Sequence, residues 1–135
     1  MGEAKLFQIP KILDERGNLS FIEKGNGIDF DFKRVYWIYD VPGGEIRGGH
    51  AFREQEEIIV ALSGSFDVVL HDGITECHFP LNRSYIGLYV PKMYWRSMQN
   101  FSTNAVAMVL ASTLYDGNDY IYDFETFLKL KNGNA

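Results

Sequence analysis

His50 is the residue with the most chemistry to offer. It lies in Arg47-Gly-Gly-His50-Ala-Phe52, a run short enough to be one strand, with Tyr36 on the run before it and Glu57 and Arg96 on later ones. An imidazole titrates near neutrality, so it can take a proton and give it back at cellular pH. Residues 50 and 52 have one residue between them, which on a strand turns both side chains to the same face. Arg47 stands three positions before His50 and offers a fixed cation to an oxyanion. Tyr36 offers a hydroxyl that can donate or relay a proton, with Trp37 on the other face of its strand unless the register exchanges the two. The remaining histidines read as structural, His71 in an Asp-Gly turn and His78 beside Cys77. Cys77 is the one cysteine; it has no partner for an internal disulfide or a Cys-x-x-Cys pair and reads as a strand residue.

These side chains need strands to hold them, and the chain supplies a string of short ones. Apolar and alternating runs fall at Leu6–Ile9, Asn18–Glu23, Arg34–Tyr39, Gly48–Phe52, Glu57–Ser63, Ser65–Leu70, Glu76–Leu81, Tyr85–Val90, Tyr94–Asn100 and Ala105–Ser112. Turn residues separate them at Val41-Pro-Gly-Gly44, Ser63-Gly-Ser65 and Pro91-Lys92, and Asp72-Gly73 between two alternating runs predicts a hairpin. Only 119–131 has apolar residues at helical spacing, Tyr120, Phe124, Phe127 and Leu128, and 127–135 reads as a frayed tail. At 135 residues the expectation is a single domain over 1–135, and its 15% aromatic content suits strands around a walled cavity.

The charge of −5 excludes a whole-chain electrostatic footprint for nucleic acid or an anionic membrane. An anionic ligand would have to be held by a few local arginines. No run is long and apolar enough for a signal peptide or a membrane span, and Leu6 stands where a myristoylation signal wants Ser or Thr, so the expected location is the cytoplasm.

Spacing decides between a sandwich and a barrel. Gly44, five residues, His50, one residue, Phe52, four residues, Glu57, six residues and Gly64 resemble the first motif of the cupins; Pro91, Arg96 and Asn100 resemble the second. The resemblance implies an all-β cupin, an RmlC-like jelly-roll barrel, with a short C-terminal helix. In metal-binding cupins two histidines, the glutamate and a late histidine hold a transition metal. Here Phe52 and Arg96 replace two of the four, and a guanidinium repels a divalent ion. The expectation is no metal and no other cofactor.

Further blocks make the resemblance narrower: Arg34-Val-Tyr-Trp-Ile, Arg47-Gly-Gly-His50-Ala, Gly87-Leu-Tyr-Val-Pro91, Tyr94-Trp-Arg96 and Asp119-Tyr-Ile121, within a similarity running from Asp14 to Phe127. Together they look like the dTDP-sugar 3,4-ketoisomerase family (FdtA/QdtA/WxcM-like). That resemblance implies a cytoplasmic homodimer acting on a dTDP-linked keto-deoxysugar. The product would be a 3-keto isomer on the way to 3-amino-3,6-dideoxysugars of surface polysaccharides. It implies catalysis by His50 and Tyr36 and substrate contacts from Arg16, Arg47, Phe52, Glu57, Tyr94 and Arg96. Arg16 matches a family position at the sugar end of the site.

Two departures stand out. Many family members carry His-Ala-His where this chain has His50-Ala51-Phe52, so one titratable group is missing. Arg16 is of the type found with the galacto product and Arg96 of the type found with the gluco product; the second lies nearer the catalytic strand and tips the reading towards gluco. Two other functions stay open on sequence: a dTDP-4-keto-sugar 3,5-epimerase using His50 with Tyr36 or Tyr94, and a non-catalytic sugar-nucleotide-binding cupin.

Overall fold

The computed structural model describes residues 3–133. Among them the strands are β1 (Lys5–Gln8), β2 (Lys11–Ile12), β3 (Leu19–Ser20), β4 (Arg34–Ile38), β5 (Arg47–Phe52), β6 (Glu57–Ser63), β7 (Phe66–His71), β8 (Glu76–Leu81), β9 (Ile86–Val90), β10 (Trp95–Gln99), β11 (Val106–Ala111) and β12 (Tyr120–Ile121), followed by helix α1 (Phe124–Lys131). They form two five-stranded antiparallel sheets, β1-β9-β6-β11-β4 and β12-β5-β10-β7-β8, and a separate β2–β3 hairpin. This is the jelly-roll arrangement that the motif spacing implied.

Alternation sorts the side chains into layers. Ile59, Ala61, Leu88, Val90, Ala107 and Val109 of the first sheet meet Phe66, Val68, Leu70, Leu81 and Met98 of the second in one core. On β6 the intervening Ile58 and Val60 are buried as well, because Ile9, Ile28, Phe30 and Phe32 cover the outer face of that sheet. Strand β6 therefore reads as a continuous apolar run, with both its faces out of water. The segment that does the covering, Ile28-Asp-Phe-Asp-Phe32, alternates apolar and acidic residues as a strand would, yet forms no strand.

Helix α1 does the same for the second sheet. Phe127 is fully buried against Ala51 and Ile121, with Trp95, Phe124 and Leu128 around them. The Asp123 carboxylate caps the helix by accepting from the Thr126 backbone N–H and hydroxyl, at 3.0 and 2.7 Å. The expected frayed tail from 127 is thus corrected through Lys131: the chain is helical there because Phe127 has a core to enter. The expected helix start at Asp119 also shifts, since Gly117–Asp119 is a short 3-10 turn and β12 precedes α1. Asp72-Gly73 turns β7 into β8 as expected, with the Asp72 carboxylate accepting from the N–H groups of Ile74 and Thr75.

Candidate active site

One local irregularity places the histidine. In the β5–β10 ladder Arg96 pairs with His50 but Met98 pairs with Arg47, so β5 carries one extra residue in the Gly48-Gly49 stretch. Such a bulge bends the strand and re-aims its side chains. On a regular strand residues 47 and 50 would face opposite ways; with the bulge both Arg47 and His50 line one cavity. Gly48 takes φ +79°, and a Cβ there would lie 2.7 Å from Arg96 Nη1, so glycine is required twice over.

That cavity measures about 540 Å³ and lies between β4 of one sheet and β5, β10 and β12 of the other. His50 is packed edge-on against Phe52 at 4.9 Å between ring centroids, with Tyr120 at 5.0 Å and Tyr122 at 6.1 Å. Its Nε2 is buried and has no hydrogen-bond partner among the described residues. Burial, with the Arg96 charge as the second cause, pulls its pKa down to about 3. The imidazole of the free protein is therefore neutral at cellular pH and available to accept a proton.

Behind it lies a buried polar chain. Arg96 and Glu57 are each 1% exposed. Arg96 Nε lies 2.6 Å from Glu57 Oε1, and Nη2 donates to Glu57 Oε2 at 3.1 Å and to Tyr36 Oη at 2.7 Å. Tyr36 in turn donates to Glu57 Oε2 at 2.6 Å. Gln55 Nε2 donates to the same carboxylate at 2.9 Å, and Gln55 Oε1 accepts from Arg34 Nη2 and Thr113 Oγ1 at 2.7 and 2.6 Å. Burial above all pushes the Tyr36 phenol well above its ordinary range, despite the Arg96 charge that pulls it down, and the contact with Glu57 adds to the rise. Burial alone would lower the Arg96 pKa, but Glu57 outweighs it and holds the guanidinium firmly charged.

This network answers the metal question on chemistry. Of the four cupin ligand positions, His50 and Glu57 keep donor side chains, and Glu57 is committed elsewhere: its Oε2 accepts from Arg96, Tyr36 and Gln55 and its Oε1 faces the Arg96 guanidinium at 2.6 Å. Among the described residues no three His, Cys, Asp or Glu side chains converge as a metal would need. The residues present do not fit a transition metal.

The structure brings together most of the residues singled out in the sequence. Tyr36, Arg47, His50 and Arg96 line the cavity; Phe52 and Glu57 back it. Two residues lie elsewhere. Tyr94 packs against the barrel core with the Lys131 ammonium 4.9 Å over its ring. Arg16 sits in the loop of the β2–β3 hairpin with its side chain 89% exposed, paired with Asp14 at 2.8 Å. Trp37 is exposed at the cavity mouth, and Tyr36 faces inward. Arg34, Tyr120 and Tyr122 also line the cavity, and their roles were missed. Arg34 and Tyr120 fall inside blocks that carried the family resemblance, and the Gly-Gly pair before His50 was a legible bulge signal.

A second cavity of about 510 Å³ lies on the outer side of the first sheet, around Phe7, Phe30 and Tyr89. Tyr89 donates to Glu56 there at 2.5 Å. No histidine lines it.

Comparison with known proteins agrees with this site. The family model FdtA, described as WxcM-like, C-terminal, matches residues 2–132. A TDP-4-oxo-6-deoxy-alpha-D-glucose-3,4-oxoisomerase of Aneurinibacillus thermoaerophilus is 43% identical over 94% of this chain and 91% of its own length. Among solved structures, a 3,4-ketoisomerase from Helicobacter canadensis superposes with a TM-score of 0.93 at 39% identity, over 98% of this chain and 99% of that one. The 3,4-ketoisomerase QdtA of Thermoanaerobacterium thermosaccharolyticum, solved as a histidine-to-asparagine mutant with TDP-4-keto-6-deoxyglucose, matches at 0.93 and 32% identity, over 96% and 94% of the two chains. By sequence and by structure, this chain belongs to the FdtA/WxcM-like family of sugar-nucleotide 3,4-ketoisomerases.

Proposed function

We propose that this chain converts dTDP-4-keto-6-deoxyglucose into a dTDP-3-keto-6-deoxyhexose, without metal or redox cofactor, as a step towards 3-amino-3,6-dideoxysugars of surface polysaccharides. The observation that carries this is His50, a neutral imidazole with an unpartnered nitrogen in a cavity whose charged lining residues are Arg34, Arg47 and Arg96. A 4-ketone acidifies the hydrogen on C3, and a nearby neutral base can remove it. As negative charge gathers on the substrate oxygen, the imidazolium gains a counter-charge that the free protein lacks, and the arginines stabilise the enediolate. Tyr36, held in place by Arg96 and Glu57, is the hydroxyl set to pass a proton between O3 and O4. Arg47 and Arg34 hold the diphosphate end. Phe52 and Glu57 shape and brace the wall.

The protein works as a homodimer in the cytoplasm. Edge strand β4 leaves Val35 and Trp37 exposed, with Tyr39 exposed just beyond it, and an uncovered edge of this kind favours pairing. Arg16, exposed on its hairpin loop, reaches the sugar through the pairing of two copies, whereas Tyr94 lies outside the cavity and supports the barrel core. Sedimentation should give twice the chain mass of 15.5 kDa.

To test the function, the purified protein is treated with a chelator and given dTDP-4-keto-6-deoxyglucose. The ketone carbon seen by NMR should move from C4 to C3. His50→Asn should stop this and still bind dTDP by calorimetry. Isomerisation by the His50 variant, or a strict need for added metal, would refute the reading.

A further inference from the structure

Gln55 lies in the loop between β5 and β6 and is 1% exposed. Burying an amide costs free energy unless both its ends find partners, and here both do. Its Nε2 donates to Glu57 Oε2 at 2.9 Å, and its Oε1 accepts from Arg34 Nη2 at 2.7 Å and from Thr113 Oγ1 at 2.6 Å. A carboxylate only accepts and a guanidinium only donates, so the amide has one orientation and cannot flip. The backbone beneath it is equally fixed. The Asp119 carboxylate accepts from the Glu54 and Gln55 N–H groups at 2.7 and 3.1 Å, and Ser112 Oγ accepts from the Glu56 N–H at 2.9 Å.

Arg34 is the group that this arrangement holds. It lines the cavity from β4, with its guanidinium over the rings of Tyr36 and Tyr115 at 5.1 and 5.6 Å. Its Nη2 is tied to Gln55, and its Nε is buried without a partner among the described residues. Gln55 itself does not line the cavity. We propose that Gln55 is a positioning residue: it holds the Arg34 guanidinium in place so that the diphosphate of the sugar nucleotide meets a cation already oriented. This rests on the reading above that the cavity takes a dTDP-sugar. The amide suits the task because it is neutral. Glu57 is already matched by Arg96 at 2.6 Å, so a neutral bridge leaves the charge of Arg34 uncancelled for the ligand. A guanidinium held beforehand also gives up less conformational freedom when the anion arrives.

Calorimetry with dTDP tests this as a double-mutant cycle. Gln55→Met keeps the length of the side chain and removes its polar end; dTDP should bind about tenfold more weakly, the loss of one hydrogen bond to a charged group. In the Arg34→Met background the same change should cost less than about twofold, because the residue it acts through is gone. A tenfold loss that persists without Arg34, or an unchanged affinity in Gln55→Met, overturns the positioning role and leaves the ketoisomerase reading intact. A second measurement needs no variant at position 55. In the ligand-free wild-type protein, nitrogen NMR should show the Arg34 Nη groups as separate, slowly rotating signals, identified by their loss in Arg34→Met. One averaged signal overturns the inference even where Gln55→Met fails to fold. Wild-type protein that does not bind dTDP refutes the reading on which the inference rests, and the inference with it.

Discussion

Replacing Glu57 by Gln removes the charge that compensates Arg96 while barely changing shape. Both side chains are 1% exposed, so neither can turn to water for help. The carboxylate meets Arg96 Nε at 2.6 Å, Tyr36 Oη at 2.6 Å, Gln55 Nε2 at 2.9 Å and Arg96 Nη2 at 3.1 Å, all of them donors. An amide keeps one accepting oxygen and turns its own N–H groups on the remaining donors. Breaking a buried pair from one side costs about 3–5 kcal/mol, a large part of the ~5–15 kcal/mol that holds an ordinary domain together. With a urea slope of about 2 kcal/mol per M, the unfolding midpoint should fall by about 2 M. The double variant E57L/R96M removes both charges and should recover most of that loss, since a well-packed apolar pair can replace a buried ion pair at little cost. Urea unfolding followed by circular dichroism reads both. A loss below about 1 kcal/mol for E57Q would refute the view that this carboxylate is the counter-ion of the site.

Three further outcomes follow from the same geometry. Because burial, aided by Arg96, lowers the His50 pKa to about 3, kcat/KM should stay flat as pH falls through 6.5, where an ordinary histidine would switch off; a fall centred near 6.5 would contradict this. The linked stability has a definite sign. The unfolded chain binds this proton below about 6.5 and the folded chain only near 3, so stability is lost as pH drops across that window, and His50→Asn should flatten the wild-type loss in urea midpoint between pH 6.5 and 4. Gly48→Ala should cost about 1–3 kcal/mol by urea unfolding and lower kcat, since its Cβ meets the immobilised Arg96 at 2.7 Å and its φ of +79° disfavours a side chain.

Much of the positioning is legible in the sequence. Alternation around Tyr36 and the spacing from Gly44 to Gly64 place the right side chains inward because a strand has a fixed period and a barrel has one interior. What escaped depends on contacts the period does not encode. The bulge at Gly48-Gly49 adds a residue that brings Arg47 round to the His50 side. Ile28, Phe30 and Phe32 lie in a segment with no strand or helix, yet they cover Ile58 and Val60. Phe127 lies in a polar tail by sequence, and only the outer face of β5 and β12 supplies Ala51 and Ile121 for it to cover. The commitment of Arg96 to Glu57 and Tyr36 joins residues 36, 57 and 96, a pairing that only the closed barrel creates.

The central claim is that His50 abstracts the proton on C3 of a 4-keto sugar nucleotide. Incubation with dTDP-4-keto-6-deoxyglucose in deuterated water, with exchange followed at C3 and C5, tests it most directly. The account predicts loss of the C3 proton signal together with movement of the ketone to C3, and an unchanged C5. Exchange at C5 would point to epimerase chemistry, and no exchange at either carbon to a binding protein; either result would contradict it.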